Sequence, residues 1–212
     1  MNVAITVFEF IVLLFSAVLH EISHGYEAER LGDPTARLAG RLTLNPLKHL
    51  DPVMSVLLPA FLLWASGGAF FFAAAKPVPY DPRNLKYPRS GSAKIALAGP
   101  ATNFLLAAVF GIAIRILVYI PAVPDLLLEF FAIIVLVNIV LGIFNLIPIP
   151  PLDGSRLLFA ALPQTPAVFR TMRWLERWGL FIVLFFAFFG FQLIVPLINF
   201  FFTVFTGQPG IF

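Results

Sequence analysis

Long apolar runs alternate with short polar segments along this chain of 212 residues. Four of the runs are long enough to cross a bilayer as helices, since about 20 apolar residues span its hydrocarbon core. They extend over about residues 3–28, 93–120, 126–147 and 179–205. The pattern predicts an all-α integral membrane protein with about four full transmembrane helices.

Two further segments carry a different pattern. Residues 53–75 are apolar, but Pro59 and Ser66-Gly67-Gly68 interrupt them, and such residues do not favour a continuous helix. Residues 37–44 alternate between apolar and polar side chains and lie between turn-forming residues. This alternation predicts a short β-hairpin near residues 37–44.

The composition agrees with a membrane protein. Apolar residues make up 60% of the chain and charged residues 12%, whereas a soluble domain is about half apolar and about a quarter charged. The absence of cysteine excludes disulfides and thiolate metal ligands. No basic stripe is interleaved with aromatic residues, so we expect the lipid bilayer, and no nucleic acid, as a partner.

Two of the three histidines lie four residues apart at the end of the first apolar run, in the H-E-x-x-H motif of residues 20–24. On a helix, residues i and i+4 share one face, so His20 and His24 can bind one metal ion. Glu21 lies beside them and can accept a proton from water. Ionisable groups near a membrane span are rare and usually functional, which favours a metal site over two interfacial histidines that cap a helix end.

A catalytic zinc ion takes three protein ligands and keeps a further position open. The candidates for the third ligand are Asp33, His49, Asp51 and Asp153. We select Asp153, because it follows a membrane span within the proline- and glycine-rich residues 148–154, which can fix a carboxylate at depth. The other candidates lie in loops. The alternative role for Asp153 is a cap on the helix that begins near Ser155.

The basic residues predict the orientation in the membrane. They are concentrated in three loops, at residues 29–52, 76–94 and 156–177. We place these loops, and the active site, on the cytoplasmic side, and the acidic link at residues 121–125 on the opposite side. His24 and Asp153 can then share a metal ion only if residues 53–75 make no complete crossing. We therefore predict that residues 53–75 are re-entrant or only partly buried, and turn near Ser66-Gly67-Gly68.

Two asparagines within the predicted spans are candidates for contacts with a substrate. Asn103 follows Gly99-Pro100 in one span, and Asn145 ends the next span. A buried asparagine can form an interhelical hydrogen bond or contact a substrate, and the sequence favours neither role for Asn103.

Together, three motifs resemble the site-2 protease family of intramembrane zinc metalloproteases. They are His20-Glu21-x-x-His24, Gly99-Pro100-x-x-Asn103 and Asn145-x-x-Pro148-x-Pro150-x-Leu152-Asp153-Gly154, in the family's order over about residues 10–160. The resemblance implies one zinc ion per chain, held by His20, His24 and Asp153. It also implies that Glu21 is the catalytic base and that Asn103 and Asn145 hold the substrate backbone or the oxyanion.

From this resemblance we expect a zinc metalloendopeptidase that hydrolyses peptide bonds of membrane-spanning protein substrates. We expect one polytopic membrane protease domain over residues 1–212, with a catalytic core at about 1–160 and a C-terminal transmembrane helix at about 179–205. The expected location is a prokaryotic cell membrane, which the protein crosses several times.

Two other classes of function are consistent with parts of the sequence. A metal-binding membrane transporter would also have broken spans and buried polar groups, but the sequence contains no inverted repeat, and transport does not require Glu21. A catalytically inactive membrane scaffold would not need the full set of catalytic residues. The apolar faces suit homo-oligomers and lipid equally, so the sequence does not determine the oligomeric state.

Overall fold

The computed structural model describes residues 3–65 and 75–210, and their regular secondary structure is helical. The α-helices are α1 (Val3–Arg30), α2 (Thr35–Leu38), α3 (Leu58–Ala65), α4 (Pro88–Leu117), α5 (Asp125–Asn145), α6 (Asp153–Ala161), α7 (Pro166–Phe185) and α8 (Val195–Thr206). Single 3₁₀ turns lie at Pro46–Lys48, Pro82–Asn84 and Phe191–Leu193, and π-helical turns at Pro52–Leu57 and Phe186–Gly190.

Four helical segments among these residues are long and apolar enough to cross a membrane. They are Val3–Arg30, Pro88–Leu117, Asp125–Asn145 and Pro166–Leu193. Large apolar side chains are exposed along them, among others Val7, Leu105, Ile112 and Phe181. A surface of this kind requires lipid rather than water as its solvent. The chain is therefore a multi-pass membrane protein, as the apolar pattern predicts.

The C-terminal apolar run contains two helices where the sequence predicts one span over residues 179–205. Helix α7 begins earlier, at Pro166, and the chain leaves regular α-helix after Phe185. Helix α8 then begins with Pro196 in its first turn, where a residue without an N–H group is tolerated. Gly207 ends α8 with a φ of +71°, in the left-handed region that favours glycine.

The β-hairpin predicted near residues 37–44 is wrong, since the described part of the chain contains no strand. Thr35–Leu38 form the short helix α2 instead, and Gly40 follows it with a φ of +64°. The N–H group of Arg41 then donates to the carbonyl of Ala36, within the same turn. Alternation describes which side chains would share a face, but a strand also needs a neighbouring strand for its backbone hydrogen bonds. Here the backbone groups form hydrogen bonds within the local turn instead.

Helix α4 lies at the centre of the bundle and contacts α1, α5, α6 and α8. The apolar core between α4, α5 and α8 consists of Ala107, Ile114, Val135, Ile139, Ile143, Ile198 and Phe202. Two glycines allow close packing around it. A Cβ atom on Gly111 would lie 2.7 Å from Phe205, and one on Gly142 would lie 2.9 Å from Phe104. This packing fixes the position of α4, on which the candidate site depends.

Helix α1 ends and α4 begins at the same end of the bundle, because the His24 ring contacts the carbonyl of Ile95. The chain between them therefore leaves and returns at that end. The turn predicted near Ser66-Gly67-Gly68 lies outside the described residues.

Candidate metal centre

Three potential metal ligands converge where α1 meets the start of α6. His20, His24 and Asp153 each offer one ligand atom, and these atoms lie within 4.8 Å of one another. Asp153 Oδ2 is 3.0 Å from His20 Nε2 and 3.1 Å from His24 Nε2. All three side chains are buried. The structure thus brings together the three residues that the sequence selects as ligands.

The donor set fits zinc. Two imidazole nitrogens and one carboxylate oxygen are ligands that catalytic zinc sites use. In a tetrahedral site with bonds of about 2.0–2.2 Å, ligand atoms are about 3.3–3.6 Å apart. The separations of 3.0 and 3.1 Å between Asp153 and the two histidines are within a few tenths of an ångström of this value.

Gly99 makes room for both imidazole rings against α4. The helical spacing of α1 places the rings on one face, with their centroids 4.7 Å apart and their planes at 86°. A Cβ atom on Gly99 would lie 2.5 Å from His20 Nε2 and 2.6 Å from His24 Cε1. No side chain fits at this position, so glycine determines how closely α4 approaches the ligands.

The turn between α5 and α6 holds Asp153 in place. A Cβ atom on Gly154 would lie 2.1 Å from the carbonyl oxygen of Leu146, so glycine allows α6 to start against the end of α5. Helix α7 packs on the same turn through Gly179, where a Cβ atom would lie 2.0 Å from the Pro150 carbonyl oxygen. Helix α6 begins at Asp153 itself, whose carboxylate faces the histidines.

The Nδ1 atom of each histidine is engaged on the side away from Asp153. His24 Nδ1 lies 2.6 Å from the carbonyl oxygen of Ile95. A carbonyl only accepts hydrogen bonds, so Nδ1 carries a proton, and Nε2 on the side of Asp153 is the nitrogen that can bind a metal ion. His20 Nδ1 lies 2.6 Å from Asn103 Oδ1, on the same helix α4.

Glu21 contacts the segment around Val78, which is distant in sequence and belongs to none of the three motifs. The N–H group of Val78 donates to Glu21 Oε2 at 2.8 Å. Lys76 anchors this extended segment, since its N–H donates to the His49 carbonyl and its own carbonyl accepts from Arg41. Pro77 and Pro79 flank Val78, so only the central residue offers an N–H group. The alternation of prolines singles out the Val78 N–H group as a donor, but nothing in the sequence connects it with Glu21.

Asp33 lies outside the cluster, in a loop that it stabilises. Its buried carboxylate accepts hydrogen bonds from Thr35, from the N–H group of Asp81 and from Asn84 Nδ2. Burial acts to raise the pKa of this carboxyl group, but the hydrogen bonds together hold the pKa below its ordinary value. Asp33 therefore joins the chain after α1 to the chain before α4.

His49 and Asp51 also have local partners away from the cluster. His49 is buried, and its Nε2 donates to the carbonyl of Thr43 at 2.9 Å. Asp51 Oδ1 accepts from the N–H group of Val53 at 2.9 Å. Neither side chain belongs to a group of potential ligands within the part of the chain that the structure describes.

The two candidate asparagines differ in their surroundings. Asn103 is completely buried between α1 and α5, against His20. Asn145 is half-buried at the end of α5, and its Nδ2 donates to the carbonyl of Leu141 within the helix. Only Asn145 therefore has a partly accessible side chain.

Known proteins with similar sequences are zinc metalloproteases by name. The family model described as "Peptidase family M50" matches residues 113–186. Over 197 residues the chain is 37% identical to "Putative zinc metalloprotease YwhC" of Bacillus subtilis, with 89% of this chain and 84% of that protein covered. Over 170 residues it is 34% identical to "Putative zinc metalloprotease Rip2" of Mycolicibacterium smegmatis, with 80% and 62% covered.

A third relative comes from an archaeon. Over 156 residues the chain is 30% identical to "Zinc metalloprotease MJ0392" of Methanocaldococcus jannaschii, with 73% of this chain and 34% of that protein covered. The chain thus spans most of YwhC but less than two thirds of Rip2 and MJ0392. No solved structure matches the chain.

Proposed function

The chain belongs to the M50 family of zinc metalloproteases, the site-2 protease family, and from this membership we propose that it cleaves membrane-spanning protein substrates inside the membrane. The observation that carries the proposal is the position of the ligand atoms within the bundle. His20 lies about 15 Å from the end of α1 at the usual rise of about 1.5 Å per residue. A substrate would therefore reach this site from within the lipid, rather than at the membrane surface.

We assign His20, His24 and Asp153 as the zinc ligands and Glu21 as the catalytic base. Zinc at this position supplies a Lewis acid that polarises the scissile carbonyl and makes water more acidic. Glu21 accepts the proton of the attacking water and transfers it to the leaving amine. The Val78 N–H group holds one oxygen of the Glu21 carboxylate, which supports its orientation for this step.

We propose that Asn145 contacts the substrate backbone or the developing oxyanion. Its half-buried side chain at the end of α5 precedes the turn that carries Asp153. A transmembrane helix hides its carbonyl groups in its own hydrogen bonds, so a substrate has to unwind locally before it binds. The Asn145 amide can then replace one hydrogen bond that the unwound segment has lost.

We propose that this end of the bundle faces the cytoplasm, so that the chain between α1 and α4 leaves and returns on the cytoplasmic side. The basic segments 29–52 and 76–94 lie next to the end where α1 stops and α4 starts, and Arg89 in the first turn of α4 donates to the carbonyls of Ala160 and Leu162 in the basic segment 156–177, which supports this orientation. A cavity of about 720 Å³ opens there between α6, α7 and the start of α4, and its lining includes Ser155 and Arg156, close to Asp153. This cavity is the proposed route for water. Residues 1–212 would form one polytopic protease domain.

The experiment compares zinc content and cleavage of a membrane-spanning model peptide in proteoliposomes. Glu21→Gln should retain about one zinc per chain and lose cleavage, because the amide cannot accept the proton. Asp153→Ala should lose zinc and cleavage together. Full cleavage by Glu21→Gln would refute the base assignment. Zinc passage into sealed vesicles without any cleavage by the wild type would instead favour a transporter.

A further inference from the structure

A line of polar side chains continues from the ligands into the apolar interior of the bundle. Ser16 and His20 on α1, Asn103 on α4 and Asn138 on α5 are all buried. Asn103 Oδ1 lies 2.6 Å from His20 Nδ1, and Asn103 Nδ2 donates to Asn138 Oδ1 at 2.9 Å. Asn138 Nδ2 donates to Ser16 Oγ at 3.0 Å and to the carbonyl of Ile134 at 2.9 Å. We call these residues the amide relay.

The amide relay has a fixed direction. The Ile134 carbonyl only accepts, so the NH₂ group of Asn138 must face it and the Asn138 oxygen must face Asn103. The NH₂ group of Asn103 therefore faces Asn138, and its oxygen faces His20. Reversing either amide would place two acceptors or two donors against each other. In an apolar interior each such mismatch is costly, because no water can compensate.

The direction of the amide relay decides which nitrogen of His20 is available. Asn103 Oδ1 can only accept, so His20 Nδ1 must donate its proton to it. Nε2 lies 3.0 Å from Asp153 Oδ2 and is then the nitrogen that can bind a zinc ion placed between them. His24 obtains the same arrangement directly from the Ile95 carbonyl. We infer that Asn103, held by Asn138, is a positioning residue that sets the tautomer and orientation of His20 for zinc.

This inference rests on the proposed function, since it requires His20 to be a ligand. It also assigns Asn103 a different role from the substrate contact that the family resemblance implies. Asn103 is 0% exposed, and both ends of its amide are occupied, by His20 and by Asn138. The contacts therefore favour positioning, in which Asn103 acts through His20.

The test is the zinc dissociation constant, measured by competition with a chromophoric chelator on the detergent-purified full chain. Asn103→Leu removes the acceptor at similar size and should weaken zinc binding about 10- to 100-fold, as loss of an outer hydrogen-bond partner of a ligand usually does. Asn103→Asp keeps an oxygen opposite His20 Nδ1 but places its second oxygen against Asn138 Oδ1, so it should lower the melting temperature and still bind zinc more tightly than Asn103→Leu. Asn138→Leu should weaken binding less than Asn103→Leu, because Asn103 can still accept from His20.

Thr102→Val is the matched control. Thr102 Oγ1 donates to Ser23 Oγ at 2.7 Å, so it also joins α4 to α1 through one hydrogen bond, next to Asn103 in sequence. Its removal should leave the zinc dissociation constant unchanged. Melting of the zinc-free proteins separates the two roles. A merely structural role for Asn103 predicts that Asn103→Leu and Asn103→Asp both lower the melting temperature while zinc affinity is unchanged.

The outcomes distinguish this inference from the proposed function. If wild-type protein binds no zinc, or if His20→Ala binds it as well as wild type, the ligand assignment itself is wrong. If His20→Ala loses zinc while folded Asn103→Leu binds with wild-type affinity, only the positioning role is overturned. If Asn103→Asp binds zinc as weakly as Asn103→Leu, an acceptor oxygen opposite His20 Nδ1 does not determine zinc affinity, and the inference also fails.

Discussion

Gly99→Ala tests whether the close approach of α4 to α1 determines zinc binding. The added Cβ atom would lie 2.5 Å from His20 Nε2 and 2.6 Å from both His20 Cε1 and His24 Cε1. Ordinary contacts between such atoms are about 3.5–4.0 Å. One or both rings must therefore move by about 1 Å, whereas metal–ligand distances tolerate about 0.2 Å. We expect zinc affinity to fall at least about 100-fold.

Gly111→Ala provides the matched control on the same helix. Its Cβ atom would lie 2.7 Å from the Cβ of Phe205 and 2.9 Å from the backbone carbon of that residue, against α8 and away from the ligands. Overpacking of this kind costs about 1–3 kcal/mol of folding free energy. We expect both variants to lower the melting temperature of the zinc-free protein, and only Gly99→Ala to lose zinc.

The assay is zinc content after dialysis against a weak chelator, together with the melting temperature of each zinc-free protein. Wild-type zinc content in folded Gly99→Ala would contradict the reasoning, because it would mean that the rings bind the ion without the space that Gly99 provides. Loss of zinc in both glycine variants would also contradict it, since the effect would then follow general destabilisation rather than contact with the ligands.

Three further predictions concern the surroundings of the site. The chain has no native cysteine, so Arg83→Cys should react with an impermeant thiol reagent only from the cytoplasmic side, and Val123→Cys only from outside; external labelling of Arg83→Cys would refute the proposed orientation. Val78→Pro removes the N–H group at Glu21 and should lower kcat about 10- to 100-fold with zinc content unchanged, whereas Val78→Ala, which keeps the N–H, should not. Because the pKa of Asp33 is lower in the folded protein, its carboxylate stabilises the fold at pH values above the ordinary carboxyl pKa of about 4, and this contribution is lost as the pH falls through the folded pKa. The melting temperature of Asp33→Asn should therefore change less with pH than that of wild type. The same dependence of melting temperature on pH in both proteins would contradict this.

The proposed zinc ligands could be selected from the sequence, because their constraints are helix spacing and the order of the membrane spans. The spacing of His20 and His24 depends only on helix geometry, and Asp153 follows from a span that has to return to the same side. The sequence identifies the three side chains that the fold brings together, His20, His24 and Asp153.

The surroundings of the site could not be predicted, because they depend on contacts between distant segments. Val78 reaches Glu21 across 57 positions of sequence, and Asn138 reaches Ser16 across 122. Neither pairing has a local periodicity that would reveal it. The prediction of a hairpin near residues 37–44 was wrong for a different reason: the alternation is a local pattern, but no partner strand is present among the described residues.

Helix α4 determines the geometry of the site more directly than the helix that carries the histidines. Ile95, Gly99 and Asn103 are spaced by four residues, so they share one face of α4. The Ile95 carbonyl contacts His24, Asn103 contacts His20, and Gly99 lies against both rings. This antiparallel match gives each Nδ1 an acceptor and both rings their space, so displacing α4 by one turn would remove the Asn103 acceptor and the space at Gly99 together. The H-E-x-x-H motif on α1 therefore supplies the proposed ligands, and the spacing on α4 determines how they are held.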